Sequence, residues 1–335
     1  MCKDIVFGSL ERNYISLHYY LHELTRNNPD TINHFEVNNK KMFKRLFIAF
    51  GSALKGFDSC KPLITLDGTH LTSQVGGVLL AACASDALGR IFPLAISVVE
   101  VENKQEWLYF LENLKKCIPE TAMILLSDRQ NGLIEKVKTI FPGVHHGYCV
   151  KHLADNVSKR SHRKNLLEKV WEATRCLTQQ DYEMKMADIN AVSNKARDYL
   201  IKAGVEHWVT VFFPGTRFGY LTSNIFESLN SWLLTVRELP LIAMLEEIRL
   251  KLTKLIFERR AEAHEIKSES TQNVIEPVYL KLRENLAIGR TMRVLECGNA
   301  NQQVMEVWEN SRILLINWDF ESMKWRTITS LLVFP

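Results

Sequence analysis

The chain has 335 residues, and 42 Lys and Arg against 38 Asp and Glu leave a formal charge of +4, with 46% apolar and 24% charged residues. These proportions exclude low-complexity disorder, a collagen-like repeat and a disulfide scaffold, and at roughly 100–200 residues per domain they leave room for two folded units. So small a net charge specifies no nucleic-acid partner by itself; its distribution along the chain says more.

The first 59 residues are predicted to form a helical region. Tyr14 to Leu24 and Lys41 to Leu54 each carry apolar residues three and four apart, with Asn27-Asn28-Pro29-Asp30 breaking between them. The opening, Met1 to Phe7, places Asp4 where a signal peptide would begin its apolar core. The longest apolar run, Val75 to Ala84, falls far short of the ~20 residues of a membrane span. A soluble intracellular protein is expected, without membrane contact. Seven scattered cysteines without a CxxC pair predict reduced thiols.

From Lys61 the period changes. Pro62 to Leu66 ends at Asp67-Gly68, and Gly76 to Cys83 and Arg90 to Val99 follow, which predicts an antiparallel meander. Residues 104–118 return to helical spacing, with Trp107, Leu111, Leu114 and Ile118 on one stripe. Met123 to Leu126 reads as a central strand ending in Ser127-Asp128, Gly132 to Phe141 as a helix, and His146 to Cys149 as a last short strand. The resulting order, β-β-β-α-β-α-β, has three strands before its first helix. That is the order of an α/β, RNase H-like mixed sheet and not of a doubly wound fold. An all-helical block from Val150 to about Ala203 comes next, then an amphipathic helix after Asn224 and a long helix from Pro240 to about Ile266. Val304 to Trp308 and Ile313 to Ile316 look like short strands.

Asp67 and Asp128 each close an apolar strand, where a sheet edge holds a carboxylate rigidly and where a turn or helix cap also finds its acid. Two such carboxylates on adjacent strands suit a pair of divalent metals ~4 Å apart for in-line phosphoryl chemistry. Glu227, early on the helix that Asn224 opens, is the candidate third acid; an N-cap at Asn224 with its acid at the third helical position reads equally well. Glu100 and Glu102, at the end of the third strand, compete for that place. His146-x-x-Cys149-x-x-His152 offers zinc-type donors, yet a closed site needs four ligands and no partner pair is visible, so a buried hydrogen-bonded Cys/His cluster is favoured over zinc. Arg129, Lys151, Lys159, Arg160, Arg163 and Lys164 are candidate DNA-phosphate contacts; a solvated helix face or a weak nuclear-localisation signal in Lys159-Arg160 and Arg163-Lys164 explains the basic run as well.

Several ordered blocks then resemble a Mutator-like (MULE) transposase: Ile64-Thr65-Leu66-Asp67-Gly68-Thr69-His70, Gly76 to Ala82, Ile91 to Ala95, Val98-Val99-Glu100 with Trp107, Ser127 to Leu133, Tyr148-Cys149-Val150-Lys151-His152, Leu221 to Ser231, and Arg237-Glu238-Leu239-Pro240. The resemblance implies a DDE triad on Asp67, Asp128 and Glu227 and a C-x-x-H element at Cys149 and His152. It implies Mg²⁺ or Mn²⁺ in a two-metal site, DNA cleavage and strand transfer on transposon ends and target DNA, a possible homo-oligomer and a nuclear location. Its domains would be a helical region over 1–59, an RNase H-like domain over 60–265 with a helical insertion at about 154–218, and a C-terminal region over 266–335. Gly147 and Phe226 depart from the family's usual arginine and small residue. The family's N-terminal zinc-bound DNA-binding domain and C-terminal SWIM finger are not evident in the sequence, although Ile316 to Trp325 looks like the approach to such a finger without its cysteines. A domesticated or decayed transposase fragment that binds DNA or protein without cutting is the alternative expectation.

Overall fold

The computed structural model describes residues 10–39, 42–73, 76–119, 123–269, 276–291, 293–296, 304–309, 312–319 and 324–332. Contacts divide the chain into two units, one formed by residues 1–146 and 222–268, the other by 147–221 and 269–335.

The first unit opens with α1 (Leu10–Asn27), which buries Leu17, Leu21 and Leu24 along one stripe. The strands β1 (Ile32–Val37) and β2 (Phe43–Ala49) then pair antiparallel, and α2 (Gly51–Phe57) follows. The helix expected over Lys41 to Leu54 is therefore corrected to a strand and a short helix, and the first 59 residues are not wholly helical. Leu46 to Ala49 are buried on both faces between β1 and β5, so the run shows no polar alternation and its spacing imitates a helix.

The expected meander is present as β3 (Lys61–His70), β4 (Val78–Ser85) and β5 (Ile91–Val99). A covering helix α3 (Lys104–Cys117) comes next, capped by the Asn103 side chain, which accepts from the backbone N–H groups of Gln105 and Glu106. The strands β6 (Ile124–Ser127) and β7 (His145–Tyr148) flank α4 (Asn131–Ile140). Together they form a seven-stranded mixed sheet ordered β1-β2-β5-β4-β3-β6-β7, in which β3 and β6 run parallel. Strand β4 is buried throughout, and its Ala81, Ala82 and Ala84 let neighbouring layers approach closely. Helix α10 (Asn224–Trp232) packs on β3, β4 and β5 through Ile225, Phe226 and Leu229. A 3₁₀ turn (Val236–Glu238) leads into α11 (Leu241–Glu269).

The second unit contains α5 (Val150–Ser161), α6 (Leu166–Arg175), α7 (Gln179–Val192), α8 (Asn194–Lys202) and α9 (Val205–Trp208). Leu153, Val157, Leu166, Val170, Ile189, Leu200 and Trp208 form their common core. It also holds α12 (Glu276–Gly289) and a four-stranded antiparallel sheet of β8 (Arg293–Glu296), β9 (Val304–Glu309), β10 (Arg312–Asp319) and β11 (Lys324–Leu332). Both strands expected near 304 and 313 are there; Phe320 to Met323 lie outside the described residues, as do Met1 to Ser9, Cys297 and Val75. The described cysteines, Cys60, Cys83, Cys117, Cys149 and Cys176, are in no disulfide. No described helix is long and apolar enough to cross a membrane.

Candidate active site

The parallel pairing of β3 with β6 runs from Leu63 opposite Ile124 to Leu66 opposite Ser127. The next residue on each chain is Asp67 and Asp128, so the register carries two carboxylates off adjacent strands at one level. Neighbouring strands lie ~4.8 Å apart, which sets the scale of their separation. Asp67 is not past the end of its strand, as the apolar run suggests. Strand β3 continues to His70 because β4 still pairs with it there, Asp67 opposite Ala81, while the parallel partner stops at Leu66.

Each aspartate is half-buried and accepts from a backbone N–H just after it in the chain. Asp67 Oδ1 accepts from the Gly68 backbone N–H at 2.8 Å, and Asp128 Oδ1 accepts from that of Gln130 at 3.2 Å. Behind Asp128 the buried Ser127 hydroxyl donates to the Asp128 carbonyl at 2.7 Å and lies 2.8 Å from His146 Nε2. His146, which the zinc-type motif singles out, thus braces the loop that carries the carboxylate.

Glu102, in the connection between β5 and α3, is the third acid at this edge. A Cβ added to Gly68 would stand 3.1 Å from its Oε2 and 3.2 Å from its Oε1, so the glycine beside Asp67 leaves the space that this carboxylate occupies. The Trp107 indole N–H donates to Glu102 Oε1 at 3.1 Å and to Gln130 Oε1 at 2.5 Å. Burial pushes the Glu102 carboxyl above its ordinary range; the Trp107 hydrogen bond opposes this, the Asp128 charge adds to it, and His70 and Gln130 pull back. Asp128 is therefore near enough to be felt. The structure separates the two competing glutamates, since Glu100 is exposed while Glu102 turns in.

Glu227 lies in the first turn of α10 with its side chain exposed, on a helix whose buried face rests on β3 to β5. The helix cap falls on Ser223 rather than Asn224, and the Ser223 side chain makes no capping bond, so the expected cap with its acid at the third helical position is corrected. One turn on, Asn230 Oδ1 is buried without a hydrogen-bond partner. Past the helix, Arg237 Nη1 donates to Thr69 Oγ1 at 2.7 Å, and the Arg237 carbonyl accepts from the N–H groups of Thr72 and Ser73. Thr69 is two residues beyond Asp67 and shares its strand face, so Arg237 ties the end of α10 to the carboxylate edge. Arg237 opens one of the blocks that carry the resemblance, but nothing local in the sequence marks its pairing with Thr69.

Carboxylate oxygens are the donors that hard divalent cations select, and this edge is all-oxygen in character. Among the described residues, however, no three His, Cys, Asp or Glu side chains stand in a metal-holding group. Arg129 follows Asp128 and is half-buried. The other basic candidates belong to the second unit: Lys151, Lys159, Arg160, Arg163 and Lys164 are exposed on α5 and the loop after it, with Arg160 stacked 4.7 Å over the Tyr199 ring. Of the C-x-x-H pair, Cys149 is buried just ahead of α5 and His152 is exposed on it.

Over 147 residues the chain is 26% identical to a PKS-NRPS hybrid synthetase of Chaetomium globosum, a match that covers 40% of this chain and 3% of that protein. The chain thus spans a few per cent of the length of that curated relative, and the synthetase's name carries no argument about the sheet edge. A family model described as the MULE transposase domain matches residues 63–156, the segment from the first residue of the β3–β6 pairing to the middle of α5. Asp67, Glu102 and Asp128 all fall inside that match, so the segment similar to the MULE transposase domain is the one that forms the acidic sheet edge.

Proposed function

We propose that this transposase-derived protein performs divalent-metal-dependent DNA cleavage and strand transfer at the β3–β6 edge of an RNase H-like sheet, with Asp67, Asp128 and Glu227 as the acidic triad. The observation that carries the reading is the register, which sets Asp67 and Asp128 side by side within the matched domain. Bound Mg²⁺ or Mn²⁺ would activate the attacking oxygen and offset charge on the leaving one. Asp67 and Asp128 hold the cation side of the site, and their backbone hydrogen bonds keep both carboxylates facing outward. Glu227 closes the site from α10, and Arg237, fixed by Thr69, places a positive charge where a phosphate would lie. The partners are transposon ends and target DNA in the nucleus, met by Arg129 and the exposed bases of α5, with a homo-oligomer holding two ends together.

Calorimetric titration of Mg²⁺ or Mn²⁺ into the wild type and Asp67→Ala, with and without terminal-inverted-repeat DNA, tests the reading. Binding in the micromolar to low millimolar range that disappears in the variant is expected. No binding in either condition by a folded wild type would sink it. A second reading, a domesticated factor that binds DNA or protein without cutting, draws on the lack of a ready three-acid group among the described residues.

A further inference from the structure

Arg217, in the loop after α9, is 6% exposed. One of its terminal nitrogens, Nη2, donates to the Trp208 carbonyl at 3.1 Å, and its guanidinium carbon lies 4.7 Å from the centre of the Phe213 ring. The other, Nη1, is buried without a hydrogen-bond partner. The fully buried Trp208, whose carbonyl Arg217 already holds, has an indole N–H in the same condition.

Several other arginines of the chain meet carboxylates. Arg45 meets Glu36 and Glu106, Arg90 meets Asp86 and Glu262, Arg249 meets Glu246, and Arg259 meets Asp86. Among the described residues no carboxylate acts on Arg217. Burial alone pushes it down, to about 10, which leaves it cationic at neutral pH. A buried cation without a counter-charge is expensive, and a buried hydrogen-bond donor without an acceptor adds to the cost. A water molecule would satisfy the donor and leave the charge uncompensated. An oxyanion supplies both acceptor and charge, and a guanidinium fork suits the oxygens of a phosphate.

We infer that Arg217 and Trp208 form a phosphate-binding subsite in the second unit, filled by a backbone phosphate of nucleic acid. The assignment of the phosphate to nucleic acid rests on the function proposed above; the anion chemistry does not. Both groups are buried, so an anion reaches them only when the loop that carries Arg217 opens. Pro214, Thr216, Phe218 and Gly219 are exposed, and Phe218 and Gly219 turn back with φ of 49° and 81°. The Tyr220 N–H closes this turn on the Arg217 carbonyl at 2.8 Å, and an outward excursion of the turn would carry the guanidinium with it.

The test compares full-length wild type with Arg217→Met, which keeps an apolar stem of similar reach, and with Trp208→Phe, which keeps a ring but no donor. Melting temperatures are measured in inorganic phosphate and in chloride at equal ionic strength, and the affinity for a labelled DNA duplex is followed against salt. Wild type should melt higher in phosphate, and both variants should lose that increment. In chloride Arg217→Met should melt at or above the wild type, because an unpaired buried charge has gone. Its DNA affinity should fall several-fold, with the slope of log affinity against log salt smaller by about 1.

An equal phosphate increment in wild type and Arg217→Met overturns the subsite. A phosphate increment that depends on Arg217, with DNA affinity and salt slope unmoved, overturns the nucleic-acid source and assigns the site to a free phosphate anion. If Arg217→Met does not fold, Arg217→Lys keeps the charge without the fork, and an undiminished phosphate increment there overturns the proposal. Loss of metal binding at the Asp67 edge with these responses intact would reject the proposed catalysis and leave the subsite standing.

Discussion

Two half-buried glutamates of the first unit sit in opposite electrostatic settings. Glu246, on α11, accepts two hydrogen bonds from Arg249, at 2.9 and 2.6 Å, and one from the Tyr20 hydroxyl of α1 at 3.0 Å. The arginine hydrogen bonds hold its carboxyl below the ordinary range against the opposing effect of burial. Glu102 is pushed the other way, by burial first and the Asp128 charge after it, with the Trp107 hydrogen bond opposing. The scaffold supplies the first with its cation, whereas the neighbours named for the second include an indole, an amide and another carboxylate. Glu246 closes a brace between two helices. Glu102 stands half-buried beside another carboxylate at a sheet edge, the kind of setting in which a perturbed acid marks a candidate site.

The largest effect should come from breaking the edge itself. Asp128→Asn keeps the side-chain shape and the turn to Gln130 and removes one charge. DNA cleavage should fall by about 10³-fold or more, the scale of losing a principal electrostatic group in a preorganised site. Folding should be little affected, and circular dichroism alongside a cleavage assay checks both. Retained cleavage in a folded Asp128→Asn would show that this edge is not where the chemistry occurs.

Trp107→Phe probes what holds Glu102 in place. The indole is fully buried and donates to both Glu102 and Gln130, so the variant loses a hydrogen bond to a charged acceptor, worth about 1.5–3 kcal/mol, besides a packing loss that does not depend on pH. Because this bond favours the ionised carboxylate, the gap between variant and wild type should be widest at neutral pH and should narrow as Glu102 protonates on acidification. Urea unfolding at several pH values measures the gap. A deficit that stays constant across pH would mean the indole only fills space.

How much of this was legible beforehand follows from how local each signal is. Asp67 and Asp128 stand out because each follows an apolar run that only a central strand explains, and β3 to β6 fall close to their expected places. Strand β2 reads as a helix in sequence because Leu46 to Ala49 are buried on both faces, which erases the period that tells strand from helix. Strand β1, with a partly buried edge pattern, has too weak an alternation to announce itself. Glu100 and Glu102 cannot be told apart in sequence, because the distinction is made by the space over Gly68, a residue on another strand. Arg217 stays hidden for the same reason, since a lone arginine in a loop shows neither its burial nor its partner, and Arg237, though inside a block that resembles the family, does not show its pairing with Thr69.

The smallest expected effect lies on the scaffold side of the comparison and is the most diagnostic of sign. Glu246→Gln removes the charge that Arg249 pairs with, an i,i+3 contact whose members are 40% and 27% exposed, so solvent screening limits the loss to about 0.5 kcal/mol at neutral pH. Its pH dependence says more than its size. The Glu246 carboxyl is lowered from 4.5 in the folded state, so its contribution is fully present above that unfolded value and disappears as pH falls through the lower folded value. Glu102 is raised, so the folded state binds its proton more readily than the unfolded chain and its contribution declines as pH rises from 4.5. The two glutamates therefore tilt the acid limb of the stability curve in opposite directions. Urea midpoints between about pH 3 and 7 should show a shallower acid-side decline in Glu246→Gln than in the wild type, with the two curves converging at the acid end. Parallel curves would mean that the Tyr20–Glu246–Arg249 brace contributes through neutral hydrogen bonding alone and that the opposition between the two sites is not electrostatic.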